Sequence, residues 1–411
     1  MMINPWHPLQ KIGFRFSFIF ILSFIIVNNN EAFPLFNYIR KPLVQFTQHV
    51  TPWFAENVLN YSYDHSIVIN GSSDTSYAWI TLLILFLWAV AGTIIWTVTD
   101  RKQKDYNTAY YWLTTFVRYY IAFMLINYGT IKLIHAQMLP PGLNRLMQPL
   151  GEFSPMGLAW TYFGYSKGYN IFIGMVEILS GFLLFRKTVV LGALITMVVS
   201  INIMTANYFF DVPVKIISTA LFLLSVFLLL PHIKPLFDFL VLGKSAHIDV
   251  LRKPEFVKPW KNKTLTAVKV AAISIFVLSQ FSGVLNRQKL IKHYLRKSPL
   301  YGIYQVESGD NRRTAIPGDW AFIVFEYEGD ATVRDVYYRK KKITPAIDAK
   351  QRKISLNNYT LDYLILENGD ILLTKAFGDR TEKVRLVKQQ PEQFELRRRG
   401  FNWIQEYPYN R

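Results

Sequence analysis

The chain has 411 residues, of which 51% are hydrophobic and 16% aromatic, and it carries a net charge of +18. It contains no cysteine, which excludes disulfides, thiolate-ligated metals, cysteine-bound iron–sulfur clusters and CxxC redox relays. In a chain this apolar, we attribute the positive charge to membrane topology and to anionic lipid headgroups. We therefore expect membrane lipid, and no nucleic acid, among its partners.

The apolar residues are concentrated in seven runs, each about long enough to cross a hydrocarbon core of ~30 Å. The first run follows Lys11 and Arg15 as in a signal peptide, but no small-residue cleavage site follows it, so we interpret it as an uncleaved anchor. The sequence predicts transmembrane helices at approximately residues 11–27, 77–99, 110–134, 168–185, 188–210, 213–230 and 264–285.

Basic residues are unevenly distributed between the two sides that these runs define. With the N-terminus inside, the inside segments hold 14 Lys and Arg residues, whereas the outside loops 28–76 and 135–167 hold 4. This split fits the positive-inside rule. It predicts a bacterial inner-membrane protein with a cytoplasmic N-terminus and a periplasmic segment 286–411, although five basic residues within 287–297 argue the other way.

Beyond residue 286, short segments alternate polar and apolar residues with a period of two. The sequence "ENGD" at 367–370 predicts a hairpin because Asn-Gly supplies a positive φ, and "EYEGDA" at 326–331 predicts a second turn. Six to eight strands in about 110 residues are typical of a small antiparallel barrel or sandwich. The alternating segments lie at 301–308, 320–327, 332–338, 360–377 and 383–387, and the predicted turn at 367–370 divides the fourth of them into two strands.

Residues 42–60, in the first outside loop, predict an amphipathic helix that either lies on the membrane surface or caps the helical bundle.

Six polar residues interrupt the apolar helices, where a central charge costs ~2.5–3.5 kcal/mol. Glu177 lies midway along its helix, so we expect it to be protonated or paired. Arg118 and Lys132 are four helical turns apart on one face; we predict that Arg118 mostly meets headgroups and that Lys132 turns toward Glu177. The candidate intramembrane pocket comprises Arg118, Asn127, Lys132, Glu177, Asn202 and Asn207, where the alternative role of Asn202 and Asn207 is interhelical hydrogen bonding.

Charged residues and glycines recur in the third and fourth predicted helices: Arg118, Gly129-Thr-Ile-Lys132, Glu177-Ile-Leu-Ser-Gly181 and Arg186. This pattern resembles the DoxX family of bacterial membrane proteins over roughly residues 110–235. The closing segment "RRRGFNWIQEYPYNR" resembles the ending of larger DoxX-like proteins with an added C-terminal domain. The resemblance implies a four-helix core; the family includes the membrane subunit of a thiosulfate:quinone oxidoreductase, but most members have no assigned reaction.

The predicted fold is an α-helical polytopic membrane protein of about seven transmembrane helices, with a small C-terminal antiparallel β-barrel or sandwich. Its predicted parts are the N-terminal helices with their outer loop (1–109), the DoxX-like core (110–235), a basic cytoplasmic segment with the seventh helix (236–285), and the extracytoplasmic β-domain (286–411).

Three functions remain open. In the first, the core anchors an outer β-domain that binds a protein partner, lipid or ligand. Its contact surface is the tail, with Arg397, Arg398, Arg399, Phe401, Trp403, Tyr407 and Tyr409, unless that tail is a last strand capping the barrel. In the second, the pocket holds a quinone in an oxidoreductase subunit. A small transporter is the third, although the sequence has no inverted repeat. Catalytic residues are unassigned, and no metal site is expected.

Overall fold

The chain forms two compact units. A computed structural model describes residues 6–63, 73–248, 250, 256, 258–307, 316–356, 359–377 and 379–410. The first unit, Met1–Leu139 with Ser154–Asn286, is helical, and the second, Pro140–Phe153 with Arg287–Arg411, is built on a β-sheet. A short piece of the predicted 110–235 core therefore folds with the C-terminal part of the chain.

The α-helices of the described residues vary from single turns to a helix of 36 residues. In chain order they are α1 (Pro8–Val27), α2 (Phe36–Asn57), α3 (Ser76–Thr99), α4 (Asn107–Leu133), α5 (Leu143–Leu146), α6 (Pro155–Tyr165), α7 (Lys167–Ile178), α8 (Val189–Phe209), α9 (Lys215–Leu229), α10 (Ile233–Leu240), α11 (Pro259–Tyr294) and α12 (Glu395–Arg398). Short 3₁₀ helices connect or extend several of them.

Six helical stretches in the described part of the chain are long and apolar enough to cross a membrane, which is compatible with a membrane protein. They are Pro8–Val27, Ser76–Thr99, Lys167–Leu184, Arg186–Phe209, Lys215–Leu240 and Pro259–Tyr294. Each overlaps one of the predicted transmembrane helices.

The remaining prediction, residues 110–134, coincides with α4, a helix of 27 residues that is not among those six stretches. Tyr, Thr, Asn, Arg and Lys side chains lower its hydropathy. It has more buried residues than any other helix in the described ranges. A helix that is surrounded by protein can carry polar groups that a lipid-facing helix cannot.

The helices of the first unit pack mainly in three pairs: α1 with α3, α4 with α7, and α8 with α9. The predicted fourth transmembrane helix is α7 extended by a 3₁₀ helix, Leu179–Leu184. This extension lies against α8 at Gly192, where a Cβ would be 2.8 Å from the backbone nitrogen of Leu183. The amphipathic helix predicted at 42–60 is present as α2, and its Thr51 hydroxyl lies 3.0 Å from the Thr81 hydroxyl of α3.

The β-unit contains a nine-stranded antiparallel sheet in the order β4-β3-β2-β1-β9-β8-β7-β6-β5. The two edge strands, β4 and β5, are consecutive in the chain and separated by Thr344 alone, so the sheet curls into a nearly closed barrel. The strands are β1 (Lys297–Val306), β2 (Trp320–Tyr327), β3 (Asp330–Asp335), β4 (Lys340–Ile343), β5 (Pro345–Asp348), β6 (Lys353–Leu356), β7 (Tyr359–Ile365), β8 (Ile371–Phe377) and β9 (Arg380–Lys388).

Both predicted hairpin turns are present. Gly369, between β7 and β8, has φ +83°, and Gly329, between β2 and β3, has φ +72°. The third predicted strand, 332–338, is shorter, because β3 ends at Asp335. The sequence analysis missed β4, β5 and β6, which are four residues each, because a run such as Lys340-Lys341-Lys342 lacks the apolar alternation of a half-buried strand.

The barrel interior is filled by aliphatic and aromatic side chains from all nine strands, Ile323, Phe325 and Leu373 among them. A second, smaller apolar cluster lies on the other face of β1 and β2, where Ile303 and Val324 pack against Leu143 of α5. The segment Pro140–Phe153 thus covers part of the outer surface of the sheet.

Candidate functional site

The helices α4 and α7 cross at two glycines. A Cβ on Gly129 would lie 2.6 Å from the carbonyl oxygen of Gly174, and a Cβ on Gly174 would lie 2.7 Å from the carbonyl oxygen of Gly129. Real Cβ atoms do not approach so closely, so the backbones meet here only because both residues are glycine. The helices run antiparallel, which places Gly129 beside Glu177 and Gly174 beside Lys132.

An ion pair closes this crossing. Lys132 Nζ lies 2.8 Å from both carboxylate oxygens of Glu177. The two residues are only 7% and 1% exposed, so the carboxylate and its cation are enclosed together. The pairing that the sequence predicted for the mid-helix Glu177 is therefore present.

An aromatic ring lies on one side of the pair. Lys132 Nζ is 5.7 Å from the centroid of the Tyr128 ring, within the range of a cation–π interaction. The Tyr128 hydroxyl in turn accepts a hydrogen bond from Asn30 Nδ2 at 2.8 Å. This contact links the charged crossing to the segment between α1 and α2.

Arg118 lies on α4 but takes no part in the pair. Its Nε donates to the backbone carbonyl of Leu183 at 2.8 Å, at the end of the 3₁₀ extension of α7. A snorkelling side chain would reach the surface, whereas Arg118 is 2% exposed. Instead of extending to the helix end, it lies within the helical unit, in the walls of two cavities that it shares with Arg186.

The three asparagines of the predicted pocket are dispersed. Asn127 and Asn207 are buried, whereas Asn202 is exposed on α8. Five helical residues correspond to about 140° of rotation, so Asn202 and Asn207 face different directions and do not flank one pocket. None of the three hydrogen-bonds with Lys132 or Glu177 in the described structure.

Among the six candidate pocket residues, the structure thus joins Lys132 and Glu177 and separates the others. The sequence analysis missed Gly174, although Gly174-Met-Val-Glu177 repeats the spacing of Gly129-Thr-Ile-Lys132. Gly181, the glycine singled out instead, has room for a Cβ: the nearest atom would be Ile126 Cδ1 in ordinary van der Waals contact at 3.8 Å.

The chemistry available at this crossing is limited because its two charged groups bind each other. Both carboxylate oxygens accept from the one ammonium, so each charge neutralises the other. A ligand that used either group would have to separate the pair. The described residues contain no group of three or more His, Cys, Asp or Glu side chains that could hold a metal ion.

A second set of buried charges attaches the segment Pro140–Phe153 to the barrel. Glu326 is 4% exposed and accepts from the backbone N–H groups of Leu143 at 2.8 Å and Asn144 at 3.0 Å. Arg334 donates to the carbonyl of Tyr338 at 2.8 Å and to the Glu152 carboxylate at 3.3 Å. We interpret these contacts as structural, because the groups that compensate each charge belong to the protein itself.

Two hairpin carboxylates of the barrel are stabilised in their ionised form. The backbone N–H of Lys388, 2.8 Å from Asp370, holds the pKa of that carboxyl below its usual range, and Arg385 adds to the effect. Burial acts to raise the pKa of Asp335, but hydrogen bonds from Arg339 and Tyr337 lower it overall.

The large aromatic side chains of the C-terminal tail are exposed. Phe401, Trp403 and Tyr407 are 79%, 90% and 85% exposed. The basic residues are partly engaged: Arg398 pairs with Glu395 at 2.8 Å, and the Arg399 guanidinium lies 3.9 Å from the Tyr409 ring centroid. The alternative of a last strand is wrong, because the sheet ends at Lys388 and residues 389–410 form none.

Fold and site together define a class: a helical protein with several membrane-compatible helices, a charged pair buried at a glycine crossing, and a C-terminal β-barrel unit. No family model matches the chain, and no solved structure matches it. The uncharacterized protein YwoB of Bacillus subtilis (strain 168) is 36% identical over 122 residues, which cover 27% of this chain and 71% of YwoB. The chain belongs to the same family as YwoB, whose name assigns no activity.

Proposed function

We propose that the protein is an integral protein of the bacterial inner membrane, in which a DoxX-like helical core anchors an extracytoplasmic β-domain for binding a partner. The observation that carries this choice is the closed Lys132–Glu177 pair, which is satisfied without a ligand at a glycine-to-glycine helix crossing. A pair of this kind holds α4 and α7 in register, which is what an anchor requires.

Hydrogen bonds between loops support seven crossings. Ser73 N lies 2.8 Å from the carbonyl of Pro213, and Lys215 N lies 2.7 Å from the Asp74 carboxylate, so both loops are on one side of the membrane. Between them the chain passes through α3, α4, α7 and α8. An even number of crossings is needed, so α4 spans the membrane if the other three do.

The same argument, that contacting segments are separated by an even number of crossings, applies to the N-terminus and to the barrel. Trp6 N donates to the carbonyl of Lys104 at 3.2 Å, with α1 and α3 between them. Segment Pro140–Phe153 and the C-terminal barrel belong to one unit, with four candidate spans between them. Seven crossings put the N-terminus and the barrel on opposite sides, and the positive-inside rule assigns the N-terminus to the cytoplasm.

Reporter fusions test this orientation. Alkaline phosphatase, which is active only outside the cytoplasm, should be active when fused after residue 410 and inactive when inserted at Lys102. Green fluorescent protein at the same two sites should give the reverse pattern. A fluorescent C-terminal fusion with a silent phosphatase would overturn the proposed topology.

The second candidate, a quinone site at Lys132 and Glu177, is tested by extraction. Purified full-length protein should contain less than one quinone per chain, and the amount should be equal in the wild type and in Glu177→Gln. One equivalent of quinone that is lost in Glu177→Gln but retained in Asn202→Ala would favour the quinone-linked oxidoreductase instead.

The exposed aromatic tail supports the partner-binding part of the proposal, because aromatic and arginine side chains are enriched in protein interfaces. A photo-crosslinking amino acid at Trp403 or Tyr407 should give a discrete protein adduct in intact cells. The same amino acid at Lys350, an exposed barrel position, is the control. Adducts that are absent at the tail, or equal at Lys350, would remove the tail as a contact surface.

A further inference from the structure

Three cations from three segments of the helical unit converge on one cavity. Arg118 of α4, Arg186 of the connection between α7 and α8, and Lys269 of α11 line a space of about 480 Å³. Arg118 and Arg186 also line a neighbouring space of about 780 Å³, together with Lys187. This group of Arg118, Arg186 and Lys269 is called the cationic cluster below.

The cationic cluster has no carboxylate partner in the described structure. Arg118 Nε and Lys269 Nζ donate to the backbone carbonyls of Leu183 and Leu184, at 2.8 and 3.1 Å. Among the described residues, the Arg118 side chain has one hydrogen bond, the one from Nε. The described linings of both cavities contain neither Asp nor Glu. Of the three, Arg118 is buried, Lys269 is partly buried and Arg186 is exposed. The buried charge of Arg118 is unfavourable unless an anion compensates it.

The remaining walls of the smaller cavity indicate what kind of anion fits. They carry aromatic and aliphatic side chains, including Tyr111, Trp112, Phe116 and Val268. A small hydrated anion gains nothing from such walls, whereas an amphipathic anion uses both parts. Aromatic residues of this type are also enriched at the headgroup level of membrane helices.

We propose that the cationic cluster binds the phosphate headgroup of an anionic phospholipid, with acyl chains along the aromatic wall. The guanidinium groups suit phosphate oxygens because their paired N–H groups donate bidentately. Free phosphate shares the headgroup chemistry but not the apolar contact. This inference rests on the helical unit alone and is independent of what the β-domain binds.

The test uses purified full-length protein in a neutral detergent, with native mass spectrometry to measure binding. The probes are dioctanoyl phosphatidylglycerol, dioctanoyl phosphatidylcholine and inorganic phosphate. The variants are Arg186→Gln/Lys269→Gln, which leaves the buried Arg118 in place, and Lys102→Gln, which removes one exposed charge that lines neither cavity.

Phosphatidylglycerol should bind to the wild type and to Lys102→Gln alike, and roughly twenty-five-fold more weakly to the double variant, since each of the two removed cations contributes about a factor of five. Phosphatidylcholine should bind at least tenfold more weakly than phosphatidylglycerol. Unchanged phosphatidylglycerol binding in the double variant, an equal loss in Lys102→Gln, or no headgroup preference would overturn the proposal. Inorganic phosphate that binds as tightly as the lipid would overturn the lipid assignment. Circular dichroism of each variant verifies that it is folded.

Discussion

Two charged centres lie on α4, fourteen residues apart, and they differ in how their charge is compensated. At Lys132 the cation meets a carboxylate on the neighbouring helix at 2.8 Å. At Arg118 the guanidinium meets a backbone carbonyl and two other cationic residues in cavity walls, with no carboxylate among the described neighbours. The first centre is closed by the chain itself, whereas the second is open.

The difference shows that equal burial does not imply an equal role. Lys132 and Arg118 are both below a tenth exposed. A paired charge restrains the two helices that supply it, while an unpaired cation in a cavity attracts an anion from outside the chain. Stability should therefore depend strongly on the closed centre, and ligand binding on the open one.

Removing one partner of the closed centre should have the largest effect on stability. Lys132→Met and Glu177→Gln should each lower the free energy of unfolding, Lys132→Met by ~3–5 kcal/mol because Glu177 would be left unpaired. Glu177→Gln keeps a polar group and should cost less. Thermal unfolding in detergent measures both. Lys234→Met is the matched control, because Lys234 forms an exposed pair with Asp238 that should contribute at most ~1 kcal/mol.

If Lys132→Met were no more destabilising than Lys234→Met, the distinction between a closed centre and an ordinary surface charge would fail.

The glycine crossing should be sensitive to a single added methyl group. Gly174→Ala places a methyl group 2.7 Å from the Gly129 carbonyl and should destabilise by ~1–3 kcal/mol through overpacking. Gly181→Ala, on the same stretch but with room for the added methyl group, should be neutral or slightly stabilising. Equal unfolding temperatures of these two alanine variants would show that the close approach does not limit stability.

Glu326 of the barrel extends the comparison to a buried carboxylate whose charge is compensated by backbone N–H groups instead of a cation. Glu326→Gln should lose ~1.5–3 kcal/mol, because its hydrogen bonds to Leu143 and Asn144 lose their charge assistance. Release of segment 140–153 should appear as faster hydrogen exchange there. The exposed Glu328→Gln is the control, and similar exchange in both variants would contradict this role.

The smallest predicted effect on stability is that of Asp370, and it appears in the pH dependence of unfolding. Its folded pKa lies below the unfolded value of about 3.9, so the ionised carboxylate stabilises the barrel above that pH. This contribution is lost as the pH falls through the lower, folded pKa. Asp370→Asn should therefore flatten the dependence of the unfolding temperature on pH between about 5 and 2. An identical slope in the variant would show that the carboxyl is not involved.

The sequence predicted features that depend on local chemistry. Asn368-Gly369 predicted a hairpin because only a positive φ fits that turn, and the structure has it. Glu177 predicted a proton or a buried cation because a mid-helix carboxylate needs one, and the sequence analysis named Lys132 as the cation. In both cases one residue imposed a requirement that few neighbours could satisfy.

Features that depend on which segments meet were beyond the sequence. Gly174 is important only because α7 crosses α4 at Gly129, and a glycine on an apolar helix gives no sign of its neighbour. Pro140–Phe153 joins the barrel through Leu143, a contact more than 150 residues away along the chain. The prediction that Asn202 and Asn207 share a pocket is a different case. Their offset of about 140° follows from helix geometry alone, so the sequence was sufficient to correct it.

The central claim is that Lys132 and Glu177 form a closed, structural pair, and a double-mutant cycle tests it most directly. The full-length protein is purified as wild type, Lys132→Met, Glu177→Gln and Lys132→Met/Glu177→Gln, and the free energy of unfolding is measured for each in the same detergent. The double variant should be more stable than the sum of the single losses predicts, with an interaction energy of roughly 0.5–3 kcal/mol. Strictly additive losses would contradict the claim and leave Lys132 and Glu177 as neighbours without energetic coupling.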